Sequence, residues 1–178
     1  MPEDARLNEA YLSLGSNIDP EQNLPAAVRE LARFGRVKRV SSVWESPPEG
    51  FADQPRFLNA ALLLETRLSA AELKARAIAS IEASLGRTRN ANRNAPRTID
   101  IDIMLFNRDT FRLGSRTIPD AEVLERPFVA IPLAEIAPDY RHPATCETLA
   151  AIAARFDPVR AGMTRRDDVV LADCAPRA

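Results

Sequence analysis

Asp100 and Asp102 stand two residues apart in RTIDIDIMLF (97–106), a run otherwise suited to a buried strand. In a strand, alternate side chains share a face, so the two carboxylates emerge together while Ile99, Ile101 and Ile103 emerge opposite. Like charges on one face repel unless water, nearby cations or a hard metal such as Mg²⁺ neutralises them. An isolated Asp-x-Asp would mean no more than a solvated face. The preceding loop adds Arg87, Arg89, Arg93 and Arg97 in a stretch with no apolar period. Guanidinium forks suit bidentate contact with phosphate oxygens, and metal held by carboxylates is the usual companion of transferable phosphates. Arg89 and Arg93 could equally neutralise neighbouring acids; Arg97, beside the strand, fits that reading less well.

A second group sits further back, where a loop carrying Ser46, Pro47, Phe51 and Asp53 leads to Phe57 and Asn59 at the start of a strand. A ring and an amide two apart share a face and can stack on, and hydrogen-bond, a flat heterocycle. Alone, they would read as a core ring and a satisfied buried amide. His142 is the sole histidine, which gives little support to a His base or a His-rich metal site; in RHPATCETL it shapes a turn. Neither G-x-S-x-G nor the G-x-x-x-x-G-K-[ST] phosphate loop occurs.

The elements that must position these groups follow from hydrophobic period and punctuation. AYLSLG (10–15) alternates as a strand and ends in a Gly-Ser-Asn turn; residues 20–34 carry Leu24, Ala27, Val28 and Leu31 at helical spacing, closed by Gly35. VKRVSSVWES (37–46) reads as a second strand and RFLNAALLLET (56–66) as a third; Ser69 to Glu72 form a capping box opening a helix that runs to about Leu85. With strand 97–106 the order is β-α-β-β-α-β, the ferredoxin-like α+β pattern, an antiparallel sheet packed against helices. Beyond it come a turn at 107–109, an irregular return to Ile118-Pro119, an apolar segment FVAIPLAEIAP (128–138) expected to join the same core, and a short helix at 148–156.

The chain of 178 residues suits one domain, its core at about 8–157 and a polar tail at 158–178. A formal charge of −1 and a pI near 5.9 exclude a net basic field for nucleic acid or membrane. The paired aspartates also argue against a nucleic-acid-binding sheet of this pattern. Two cysteines without metal or disulfide spacing fit a reducing, cytoplasmic setting, and no apolar run reaches membrane-spanning length.

Taken together, LGSN (14–17), SPP with DQPRFLNAA (53–61), IEASLGRTR (81–89), APRTIDIDIMLF (95–106), the Ile-Pro pair (118–119) and ERPFVAIPLAEIAP (125–138) resemble the 6-hydroxymethyl-7,8-dihydropterin pyrophosphokinase family, colinearly from about Ala10 to Pro143. The resemblance implies transfer of pyrophosphate from ATP to the hydroxymethyl group of a reduced pterin, with release of AMP and two Mg²⁺ ions held by Asp100 and Asp102. It implies that Ser46, Pro47, Phe57, Asn59 and Phe128 border the pterin, the two rings sandwiching it. Arg97 and Arg126 would meet the polyphosphate, Arg87 and Arg89 would belong to a catalytic loop, and Glu82 and position 120 would lie near the nucleotide. Its partners would be small molecules, not nucleic acid or membrane. The alternative it leaves is a diverged pterin-binding relative without transferase activity. Four departures fall on the nucleotide side: Asp120 stands where a histidine is usual, Ala95 replaces a Gly, Asn90 a Lys or Arg, and the loop has Asn94 and no aromatic. Phe57 stands where Tyr is common.

Overall fold

A computed structural model describes residues 6–50, 52–89 and 91–174, so Phe51 and Asn90 lie outside it. Strands β1 (Asn8–Ser16), β4 (Phe57–Thr66) and β5 (Asp100–Phe106) form the long strands of an antiparallel sheet, in the order β5-β1-β4 with β5 at the edge. The expected single strand at 37–46 is instead two, β2 (Arg36–Val40) and β3 (Trp44–Ser46), paired in succession along β4. Ser41 fills the gap between them: its amide donates to the Ala61 carbonyl at 2.9 Å and its hydroxyl accepts from the Ala61 amide at 2.8 Å. A serine side chain thus satisfies a backbone donor the broken ladder would leave orphaned.

One sheet face carries Ala10, Leu12 and Leu14 of β1, Leu58, Ala60, Leu62 and Leu64 of β4, and Ile101 and Ile103 of β5. Helix α1 (Pro20–Leu31) covers it with Leu24, Ala27, Val28 and Leu31. Each fully buried leucine removed from water contributes roughly 1.5–3 kcal/mol. The second helix begins at the Ser69–Glu72 capping box as α2 (Ala70–Glu72), widens into a π-helical stretch at Leu73–Ile78, and ends as α3 (Ala79–Ser84).

The apolar segment from 128 does not join this core. It belongs to α5 (Pro127–Ile136), which follows the short α4 (Glu122–Glu125) and packs with α6 (Leu149–Ala153) on the opposite face, against Tyr11, Ala61, Leu63 and Leu105. A sheet buried on both faces explains why β4 reads as a near-continuous apolar run, NAALLL, rather than an alternating one. The return after β5 is a regular hairpin, β6 (Phe111–Leu113) with β7 (Arg116–Ile118), ending in a cis Ile118-Pro119 bond. Beyond residue 157, expected to be a tail outside the core, β8 (Thr164–Arg165) extends the sheet at β3, and Val169 and Leu171 are buried in the first core. Among the described residues no helix is long and apolar enough to cross a membrane.

Candidate active site

Toward one end of the sheet, strand register places polar groups of the second face in a row. Trp44 lies opposite Asn59, Asn59 opposite Gly15, and Gly15 opposite Asp100; one step along, Ser13 lies opposite Asp102. Asn59 and Asp100 are therefore two strand spacings apart, about 9.5 Å. Gly15 forms the floor between them: a Cβ there would stand 3.5 Å from Asn59 Oδ1 and 3.9 Å from the Phe57 ring.

Two cavities open from this row. The smaller, about 280 Å³, is lined by Gly15, Ser46, Pro47, Phe57, Asn59 and Phe128, so the five residues expected to border a pterin come together. Asn59, 5% exposed, donates to Ser46 Oγ at 2.7 Å and to the Trp44 carbonyl at 3.3 Å, which fixes its amide before any ligand arrives. The larger, about 840 Å³, is lined by Glu82, Arg87, Arg89, Arg93 and Arg97, by the π-helical turn at Lys74, Ala75 and Ile78, and by Gly114 and Ser115 of the β6–β7 turn. π-Helical turns recur at functional sites. Arg93, Arg97, Asp100, Asp102 and Arg116 line both cavities, so the acidic pair stands where they meet.

The arginines are held by acids of the chain itself. Arg87 Nη1 contacts Glu82 Oε1 at 2.6 Å and Asp100 Oδ1 at 2.7 Å, and Arg97 Nη1 reaches Asp100 Oδ2 at 2.6 Å. Glu82, only 4% exposed, also binds Arg89 Nη2 at 3.1 Å and accepts from the Ile101 amide at 3.1 Å. Burial works against the Arg87 charge, but Asp100 and Glu82 outweigh it, and the guanidinium holds its proton more firmly than usual. Arg97 also lies over the Phe57 ring, 5.7 Å from its centroid. Ser16 and Asn17 clamp this loop to the sheet. Ser16 Oγ donates to the Thr98 carbonyl at 2.5 Å, Asn17 Oδ1 accepts from the Arg97 amide at 2.8 Å, and Asn17 Nδ2 donates to Gln54 and Pro55 of the other loop.

Asp102 is less well neutralised. Its only close cation among the described residues is Arg116, with Nη1 3.5 Å from Oδ1. Burial first, and then the Asp100 charge, push its carboxyl up to about 7, with Arg116 opposing. The residues do not form a cluster of three acid, His or Cys ligands among those described. The donor chemistry nevertheless fits a hard divalent cation: two carboxylates on one strand face, both opening to the cavity junction, one of them short of positive charge.

Two expected residues stand apart. Asp120 lines neither cavity; it is 6% exposed, accepts from the Glu122 amide at 3.0 Å, and pairs with Arg116 Nη1 at 3.0 Å. Its charge is met by Arg116 and the Glu122 amide. Arg126 also lines neither cavity and pairs with Glu49 at 2.9 Å. Sequence reasoning missed Arg116, Glu49, Ser13 and the small residues of the larger cavity. A cation two residues before the Ile-Pro pair was the one available signal for Arg116.

The family model for 7,8-dihydro-6-hydroxymethylpterin-pyrophosphokinase (HPPK) matches residues 11–138. The 2-amino-4-hydroxy-6-hydroxymethyldihydropteridine pyrophosphokinase of Bacillus subtilis is 43% identical over 141 residues, covering 78% of this chain and 83% of the relative. That of Pseudomonas aeruginosa is 39% identical over 140 residues, covering 77% and 85%. A Plasmodium falciparum HPPK-DHPS structure with pteroate superposes with a TM-score of 0.72 at 15% identity, covering 93% of this chain and 47% of its own, and so speaks to the fold alone. The chain spans about half the length of that two-part protein. With its fold, its matched segment and these relatives in agreement, the chain belongs to the 7,8-dihydro-6-hydroxymethylpterin pyrophosphokinase family, the ATP-dependent diphosphotransferases of folate synthesis.

Proposed function

We propose that this chain transfers the terminal pyrophosphate of ATP to the hydroxymethyl oxygen of 6-hydroxymethyl-7,8-dihydropterin in a Mg²⁺-dependent reaction. The supporting observation is the junction: a small cavity walled by two rings and an amide meets a large arginine-lined one at Asp100 and Asp102. The alcohol oxygen forms a bond to Pβ of ATP, the bond from Pβ to the α-phosphate oxygen breaks, AMP leaves, and the hydroxyl proton passes to water. Such a transfer needs positioning and charge neutralisation more than a protein nucleophile, which suits a chain whose single histidine lies away from both cavities.

In this reading the pterin lies between Phe57 and Phe128, with Asn59 hydrogen-bonding its edge and Ser46 and Pro47 closing the rim. Arg87 and Arg97 exchange Asp100 for phosphate oxygens, Glu82 keeps Arg87 and Arg89 oriented toward the same phosphates, and Arg126, which lines neither cavity, leaves Glu49 to join them. Asp100 and Asp102 hold up to two Mg²⁺ ions, which would supply positive charge to the phosphates during transfer. The two loops, 47–55 and 86–98, already linked by Asn17 and by the Gln54 bond to the Asn94 carbonyl at 2.7 Å, close over the substrates and exclude water. Both cysteines are free, in keeping with a cytoplasmic setting.

The test is AMP release from ATP by the purified chain with Mg²⁺ and 6-hydroxymethyl-7,8-dihydropterin. AMP formed in proportion to pterin consumed is the expected result; pterin binding without AMP would favour a diverged binding protein instead.

A further inference from the structure

Arg116 and Asp120 form a pair at the cavity junction for which the function above has no use. Arg116 Nη1 is shared between Asp120 Oδ2 at 3.0 Å and Asp102 Oδ1 at 3.5 Å. Among the described residues this guanidinium makes no other hydrogen bond or ion pair, although the Glu122 and Asp100 charges lie near it, so Nη2 and Nε keep their donors. Its side chain is 42% exposed, while that of Asp120 is 8% exposed and pinned at its other oxygen by the Glu122 amide. A buried, doubly held carboxylate gripping one corner of a half-exposed guanidinium is a mount: the anion is fixed and the cation's remaining fork is presented outward. The place is specific, because Arg116 lines both cavities. It belongs to the shared wall, with Arg93, Arg97, Asp100 and Asp102, along which a group passing from one cavity to the other would travel.

We propose that Arg116 is a catalytic residue that binds the phosphates in transit, the β- and γ-phosphates of the nucleotide, and that Asp120 is its positioning residue. The inference rests on the pyrophosphokinase reading. A bidentate charged contact at this point would be felt by a triphosphate and not by a nucleoside monophosphate, whose phosphate stays in the larger cavity.

Calorimetric titration with Mg²⁺ and an ATP analogue carrying a methylene between Pα and Pβ tests this, with AMP and the pterin as controls. Removing Arg116 alone would leave Asp120 a buried unpaired charge, so the principal variant is the double Arg116→Leu, Asp120→Asn, checked for an unchanged circular dichroism spectrum. It should weaken analogue binding about 10- to 100-fold, the span of a lost charged hydrogen-bond pair, with AMP and pterin binding changed less than about twofold. Arg116→Lys should recover part of the loss. Asp120→Asn alone should weaken the analogue several-fold in the presence of Arg116 and not at all once position 116 is Leu. Equal losses for analogue and AMP, an analogue affinity like wild type in the double variant, or an Asp120→Asn effect that persists without Arg116 would each overturn the assignment. A wild-type chain that does not bind the analogue would remove this inference together with the function it rests on; a wild type that binds, with an unaffected double variant, would remove this inference alone.

Discussion

The two cavities share a wall but are built on opposite principles. Away from the charged wall they share, the smaller is held by neutral hydrogen bonds and rings: Asn59 is fixed by Ser46 and Trp44, Gly15 leaves a flat floor, and Phe57 and Phe128 line the sides. The larger is made by a loop whose cations are already paired, Arg87 with Glu82 and Asp100, Arg89 with Glu82, Arg97 with Asp100. A heterocycle can enter the first with little rearrangement, because the polar groups it meets are preorganised. A polyphosphate enters the second by displacing carboxylates from arginines, and a cation arriving with it compensates the carboxylates released. Rigid neutral surfaces recognise shape, and exchangeable ion pairs couple binding to order in a loop.

The contrast can be broken most sharply at the junction. Asp102→Ala should lower the rate of AMP release by about 10²–10³-fold, the scale of losing one charge-stabilising group, with pterin affinity retained; a steady-state assay and a pterin titration decide it, and chelation of Mg²⁺ should mimic the substitution. Next in size is Glu82→Ala, which removes the buried anchor of Arg87, Arg89 and the Ile101 amide. Breaking one partner of a buried pair costs about 3 kcal/mol, so thermal unfolding should fall by roughly 6–12 °C for a domain of this size. Asn59→Ala should weaken pterin binding by about tenfold or more through the lost buried hydrogen bonds while leaving ATP-analogue affinity alone. An equal loss for both ligands would mean that the two cavities are not separable.

The smallest effect is electrostatic. Asp102 has its folded pKa raised to about 7 from an ordinary carboxylate value, so the folded state binds a proton more tightly than the unfolded one. Its contribution favours folding below the unfolded pKa and is lost as pH rises through about 7. With water access and relaxation this amounts to about 1 kcal/mol, or roughly 2–4 °C. Without metal, the melting temperature should therefore drop between pH 5 and pH 8, and Mg²⁺ should restore more stability at pH 8 than at pH 5. A metal effect independent of pH would place the ion elsewhere.

Local patterns carried far in this chain. The two-residue period of 99–103 decided that the acids share a face, and Ser69 with Glu72 form the box that starts the second helix, the Glu72 carboxylate accepting from the Ser69 amide at 2.9 Å. These features depend on neighbours within four residues, so sequence spacing expresses them directly. What it could not express was which face of the sheet the segment from 128 would cover, since an apolar helix fits either side equally well until the connection through 107–126 chooses. The pairing of VKRVSSVWES failed for a related reason: Ser41 repairs the ladder only because Ala61 lies opposite.

Charge partnership is the clearest divide. The residue types of the site, two aspartates, a run of arginines, a ring and an amide, are determined by the sequence alone, because chemistry resides in side chains. Their relations are not: Glu82 meets Asp100's arginine across a helix end, and Arg116 meets Asp102 from a hairpin that the periodicity did not announce. An ion pair forms wherever packing brings opposite charges within about 4 Å, and only the folded chain sets that distance. Asp120 therefore reads in the sequence as a departure on the nucleotide side and stands in the structure as the buried partner of a cation.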